Sequence, residues 1–251
     1  MFLEVAPDVL ALLMAAAFFA GIIDSIAGGG GLITLPVLML AGAPPVTAIA
    51  TNKIQGVFGT ATAAYSYARA GHVDLRKQVW PALVAFIASI CGAVLTSHLP
   101  VEWIKAGLPF LLVGIALFFA LKPGLDDTDR RQRLTGTLFA ATVVPLVGFY
   151  DGLVGPGAGS FYMIGFVLLA GYGVLKATAH TKLLNLASNV GGMLAFAIVA
   201  TPWWITGLLM GVAQIAGAYV GSRLAMRVGA RIIKPLLVVT SSLLAIRLLL
   251  G

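Results

Sequence analysis

Gly21-Ile-Ile-Asp24-Ser-Ile-Ala-Gly28-Gly29-Gly30-Gly31 and, about half a chain later, Gly148-Phe-Tyr-Asp151-Gly-Leu-Val-Gly155-Pro156-Gly157-Ala158 are two versions of one pattern. Each places an aspartate and a cluster of glycines inside otherwise apolar sequence. Each is followed, roughly thirty residues on, by a lysine in another apolar segment: Lys53 in Ala50-Thr51-Asn52-Lys53 and Lys182 in Ala179-His180-Thr181-Lys182. Glycines that interrupt a hydrophobic stretch, a buried acid and a buried base, all in duplicate, are the way a secondary transporter builds a site near the bilayer midplane.

The rest of the chain places that pattern in a membrane. Of its 251 residues 60% are hydrophobic and 10% charged, and the mean hydropathy is +1.01. Soluble domains carry about 25% charged residues, so the fold class is an all-α polytopic membrane protein. A transmembrane barrel would alternate polar and apolar residues and is excluded. The net charge of +7 is read as loop topology signals and not as a nucleic-acid surface. Cys91 stands alone in an apolar segment, so no disulfide and no metal site is expected, and it reads as a packing residue. The N-terminus lacks the basic start of a cleaved signal peptide.

A span needs about 20 apolar residues. Segments 46–69, 78–97, 103–121, 174–200, 203–222 and 231–250 qualify. The two motif regions differ. Segment 9–26 runs into the glycines and then a short piece, 32–41, and segment 134–151 runs into Gly-Pro-Gly and then 159–171. These read as broken helices or helical hairpins. The expected organisation is a first repeat over 1–121, a basic linker over 122–133 whose charges read as a solvated loop, and a second repeat over 134–251. The basic residues gather around 69–77, 122–133, 176 and 223–234, with Lys105 and Arg247 running against the pattern. They share one face if each broken segment returns to its own side, which puts the basic loops in the cytoplasm and both termini outside. Each half then makes three full crossings, an odd number, so the halves form an inverted repeat suited to alternating access. Trp80, Trp103, Trp203 and Trp204 fall at helix ends, as interfacial anchors should.

Asp24, Lys53, Asp151 and Lys182 carry the chemistry. An ionisable group at the centre of a span costs about 2.5–3.5 kcal/mol on insertion scales, so structural salt bridges are one reading and a transport site the other. The breaks favour the site. A helix that starts inside the membrane aims unpaired N–H groups and a positive dipole end at the interior, and such ends bind anions. The predicted substrate wall is therefore Gly28, Gly29, Gly30, Gly31, Asn52, Lys53 and Gln55 on the first side. On the second it is Gly155, Gly157, Gly159, Ser160, Lys182, Asn185 and Asn189. Thr178, Lys182, Asn185 and Asn189 share a helix face, and Lys53 shares a stripe with Gly56 and Thr60. Two lysines favour an anion, while two aspartates repel it unless protonated. Asp24 and Asp151 are thus the expected carriers of a coupling proton, with His180 as the one nearby group that titrates near neutrality. Gly207/Gly211 and Gly217/Gly221 read as helix-packing glycines.

These residues resemble those of the sulfite exporter TauE/SafE family. The match is Gly21-x-x-Asp24-Ser-x-Ala-Gly-Gly-Gly-Gly-Leu-Ile-x-x-Pro36, Ala50-Thr-Asn-Lys53, Gly148-x-Tyr-Asp151-Gly-x-x-Gly155-Pro-Gly-x-Gly159, and Thr181-Lys182-x-x-Asn185-x-x-Ser188-Asn189. The resemblance runs the whole length. It implies an ion-coupled exporter or permease of sulfite, sulfonates or related small organic acids, in the bacterial inner membrane, with no cofactor and no catalytic residue. Expected partners are the anion, protons and the bilayer, with no nucleic acid; a homodimer is compatible with the glycine and alanine faces. A passive anion channel and an intramembrane aspartyl enzyme are the alternatives. The enzyme has no use for duplicated glycine breaks.

Overall fold

The computed structural model describes residues 4–98, 126–233, 235, 236 and 239. The predicted segment 103–121, most of segment 231–250, Trp103, Lys105, Lys122 and Arg247 lie outside the described residues. Eight helices and no strand occur among the described residues: α1 Pro7–Ala27, α2 Gly31–Leu40, α3 Pro45–Arg69, α4 Leu75–Thr96, α5 Gly136–Leu153, α6 Ala158–Leu168, α7 Val174–Val199 and α8 Trp204–Val228. Five of them, α1, α4, α5, α7 and α8, are long and apolar enough to cross a membrane. At 25 residues α3 has the length; its buried Asn52, Lys53 and Gln55 dilute its hydropathy. With 10 and 11 residues, α2 and α6 are too short to cross at 1.5 Å per residue.

The order long, short, long, long occurs twice. Its neighbours repeat as well: α1 packs on α8 as α5 packs on α4, α2 on α3 as α6 on α7, and α3 on α8 as α7 on α4, while α3 and α7 meet each other. The chemistry of the faces explains the packing. Large apolar side chains such as Leu12, Phe19, Ile87, Leu146 and Ile198 point outward, where lipid solvates them. Small and polar residues point inward, because helices in lipid associate through close contact and hydrogen bonds, without a hydrophobic drive. Gly217 and Gly221 bring α8 against Phe18 and Ile22 of α1, and Gly207 and Gly211 against Ile54 and Phe58 of α3. Cys91, expected to pack inside, is exposed on α4 instead. Its small side chain finds lipid as acceptable as protein.

One connection differs from its reading as a solvated loop. The acidic stretch after Leu125 folds back as a cap and is not merely solvated. Asp127 accepts hydrogen bonds from Leu175 N and Ala230 N, both at 2.9 Å, and Asp129 accepts one from Gly173 N at 2.8 Å and pairs with Lys176. The bonds to Gly173 and Leu175 satisfy N–H groups that the start of α7 leaves unpaired, and the bond to Ala230 ties the stretch to the chain beyond α8. At the other end of the chain, Glu4 accepts from Ile205 N, Thr206 N and the Thr206 hydroxyl at 2.8–3.1 Å. It thereby caps α8.

Candidate functional site

The break after α1 is set by its aspartate. Asp24 Oδ1 accepts from Gly29 N at 3.0 Å and Gly30 N at 3.1 Å, so the carboxylate sits on the amides that open α2. This works because Gly28 takes φ +73°, in the left-handed region that closes off α1. The second break is built differently. Gly157 at φ +80° starts α6, Tyr150 Oη donates to Pro156 O at 2.6 Å, and Asp151 turns away from the amides. Its Oδ1 meets Lys53 Nζ at 2.5 Å and its Oδ2 accepts from the Ser188 hydroxyl.

The two breaks touch. A methyl group on Gly28 would stand 2.7 Å from the carbonyl carbon of Gly159, and one on Gly159 would stand 2.8 Å from Gly28 Cα. Ser160 Oγ donates across the junction to Gly28 O at 2.6 Å. Only glycines allow this approach, and it brings both motifs to one point.

Around that point the charges cross over. Lys53, from the first half, pairs with Asp151 of the second, and Lys182, from the second half, pairs with Asp24 of the first, its Nζ 3.4 Å from Oδ2 and also donating to Asp24 O. Both lysines are fully buried, at 0% exposure. A methyl group on Gly192 would stand 3.2 Å from the Lys53 stem, so glycine makes room for that lysine. Pairing each charge in place offsets part of the desolvation penalty of burying four ions.

A small cavity opens where these parts meet. The carboxylates Asp24 and Asp151 line it, together with Asn52, Asn185, Asn189 and Gln214. Glycines 29, 31, 155, 157 and 159 supply backbone wall, and Gly56 and Thr60 of α3 close one side. The free space is about 30 Å³, enough for a water molecule or a monatomic ion and too little for a sulfonate.

Of the predicted site residues, Asp24, Gly29, Gly31, Asn52, Asp151, Gly155, Gly157, Gly159, Asn185 and Asn189 come together on this wall. Lys53 and Lys182 stand behind the two aspartates and not on the wall. Gly28, Gly30 and Ser160 form the junction, and Gln55 Nε2 holds Asn52 Oδ1 at 2.9 Å with the Thr34 hydroxyl at 2.6 Å. His180 is elsewhere. Two residues before Lys182, it faces the far side of α7, against Tyr172 and Phe166, in a crevice with His72, Lys77 and Lys176. Sequence reasoning missed Gln214 and the Asp151 contact to Ser188. The signal for Gln214 was present: it is a long polar residue on the buried face of α8, among Gly207, Gly211, Ala218 and Gly221.

Comparison with known proteins fits this geometry. Residues 13–248 match the family model described as "Sulfite exporter TauE/SafE". The chain is 56% identical to a "Probable membrane transporter protein ORF9" of Sinorhizobium sp, over 98% of this chain and 94% of that one. It is 44% identical to "Probable membrane transporter protein YfcA" of Escherichia coli, over 98% and 91%, and 38% identical to a "Probable membrane transporter protein" of Haemophilus influenzae, over 98% and 96%. No solved structure matches the chain.

Proposed function

The chain belongs to the sulfite exporter TauE/SafE family and is a multi-pass membrane transporter, and from that premise we propose that it carries a small anion by alternating access, coupled to a proton. Sulfur-containing anions, sulfite or a sulfonate or a related organic acid, are the substrate class. The observation that carries this reading is the crossed pairing of Asp24 with Lys182 and Asp151 with Lys53 around one cavity. With all four groups charged, the centre is neutral and has no reason to admit an anion. A proton on Asp24 or Asp151 releases the facing ammonium, and the anion takes the place of the lost carboxylate charge. Protonation of Asp24 also weakens its hold on the Gly29 and Gly30 amides, which become donors for the anion. The proton and the anion then move as a pair of opposite charges, which spares the bilayer core a net charge.

The small free space of about 30 Å³ favours a carrier over an open channel, since the site must widen before a sulfonate fits. We place the protein in the cytoplasmic membrane, with both termini outside and the two halves inverted, so that rocking of one against the other exposes the site to each side in turn.

The test is uptake into proteoliposomes with an imposed pH gradient, across sulfite, thiosulfate, sulfate, taurine, sulfoacetate and lactate. Saturable, gradient-dependent flux of a sulfur anion, lost in Lys53→Ala and Lys182→Ala, is the expected result. Flux that ignores the gradient would make the protein a passive channel. Equal flux in the wild type and both variants would make the lysines structural and remove this site.

A further inference from the structure

The stretch 126–133 is a strap laid against the end of α6. Arg130 N donates to Gly171 O at 2.6 Å, and Arg133 N and Leu134 N donate to Leu169 O, both at 2.9 Å. The turn beneath it leaves no slack: Gly171 takes φ +76°, and a methyl group there would stand 2.5 Å from Arg130 O. The charges of the strap part company. Asp127 and Asp129 go to the amides of Gly173, Leu175 and Ala230 and to Lys176. The arginines do not follow. Arg130 has only a loose pair with Asp126, at 3.6 Å. Arg131 and Arg133 have no ion pair among the described residues, and all three arginines are exposed.

Two hollows flank the strap, and Gln132 borders both. One, of about 490 Å³, is lined by the three arginines together with the apolar Val167 and Leu168. The other, of about 290 Å³, lies between the starts of α4 and α5, where Trp80, Pro81 and Phe139 form an apolar wall beside the exposed Lys77. Trp80 is 60% exposed in the second turn of α4. A tryptophan so placed at the end of a span sits at headgroup level. Guanidinium forks match the oxygens of a phosphate two at a time. Arginines on apolar ground at the ends of membrane helices therefore fit an amphiphile with an anionic head better than a soluble salt.

We propose that the strap binds the headgroup of one anionic phospholipid, with Arg131 and Arg133 holding its phosphate and an acyl chain running past Trp80 between α4 and α5. The site is independent of the transported anion and of its coupling. The strap also caps α7, the helix that carries Lys182. A lipid held here fastens the start of that helix to the membrane surface.

The experiment titrates the purified full-length protein, in a neutral detergent, with phosphatidylglycerol or with phosphatidylcholine. Melting temperature is followed, and retained lipid is counted by native mass spectrometry. A ligand that binds only the native state raises the melting temperature saturably. Phosphatidylglycerol should do so with one lipid retained, and phosphatidylcholine should not. In Arg131→Gln with Arg133→Gln the half-saturating concentration should rise about tenfold or more. Arg223→Gln with Arg227→Gln removes the same charge from the end of α8 and should leave it unchanged. Equal effects of the two lipids would overturn the proposal. So would equal losses in the two double variants, which would make the attraction a diffuse one. A shift of the same size with glycerol 3-phosphate alone would replace the lipid by a soluble anion. Where the strap variant is not monodisperse, the wild type decides by itself: phosphatidylglycerol must be released as salt rises, and retention that ignores salt rejects the arginine site.

Discussion

At the scale of single residues, a buried ion pair can hold the fold or do the work of transport. Removing one partner and removing both answer different questions. Lys53→Met leaves the Asp151 carboxylate buried with only the Ser188 hydroxyl, a loss expected to destabilise by about 3–5 kcal/mol. Lys53→Met with Asp151→Leu removes the charge altogether, and stability should return to near the wild-type value while transport stays absent. Melting temperature in detergent and proteoliposome flux are the two readouts. A double variant no more stable than the single one would mean that the pair is part of a wider network and that its charges cannot be treated as a unit. The four charged residues themselves were legible in the sequence, since an ionisable group amid apolar residues is costly wherever it lies. Which lysine meets which aspartate was not. The partners are 98 and 158 residues apart, and helical spacing says nothing about contacts between halves. Gln214 went unread for another reason: the glycines around it read as packing, which drew no attention to the amide between them.

At the scale of the element, helix limits were legible to within a few residues wherever a glycine or proline ended them. The exception is α8, expected to stop near Ser222 and running to Val228. Arg223 does not end it, because its guanidinium lies over the Tyr219 ring at 4.1 Å and reaches outward along the helix. The start of the same helix depends on Glu4, and this gives a pH dependence. Burial pushes the Glu4 carboxyl up, but hydrogen bonds from the Thr206 hydroxyl and from the Ile205 and Thr206 amides outweigh it and hold it below the ordinary glutamate range. A carboxyl depressed in the native state adds stability that is complete above its unfolded pKa and lost as pH falls through its native one. Protease protection of the first residues should therefore fade on acidification below the usual glutamate pKa. In Glu4→Gln the protection should be weaker at neutral pH and indifferent to that acidification. Because Glu4 is largely exposed, solvent screening limits the contribution to about 0.5 kcal/mol. Wild-type protection that does not change with acid would reject the capping role. The acidic stretch after Leu125 could not be read this way from sequence, since the amides it caps belong to residues some fifty and a hundred positions on.

At the scale of the whole molecule, the repeated packing pattern and the inverted orientation are separate matters. The first is visible in the neighbours of each helix; the second is a proposal with its own test. Single cysteines placed in 42–45 and in 172–175, in a Cys91→Ser background, should differ in labelling by a membrane-impermeant thiol reagent: the first reached from outside, the second only from the cytoplasm. Labelling of both from one side would reject the inversion and with it the rocking mechanism. The free space of about 30 Å³ beside the Gly28 and Gly159 junction, which Ser160 bridges, means that any state able to hold a sulfonate has a wider site than this one.

The crossing of the two ion pairs has a consequence for how the protein is made. Asp24 and Lys53 are synthesised first, and neither finds its counter-ion in the half of the chain to which it belongs. The counter-ions they take in the finished fold, Lys182 and Asp151, arrive only with α5 and α7, so neither crossed pair can form before the second half is made.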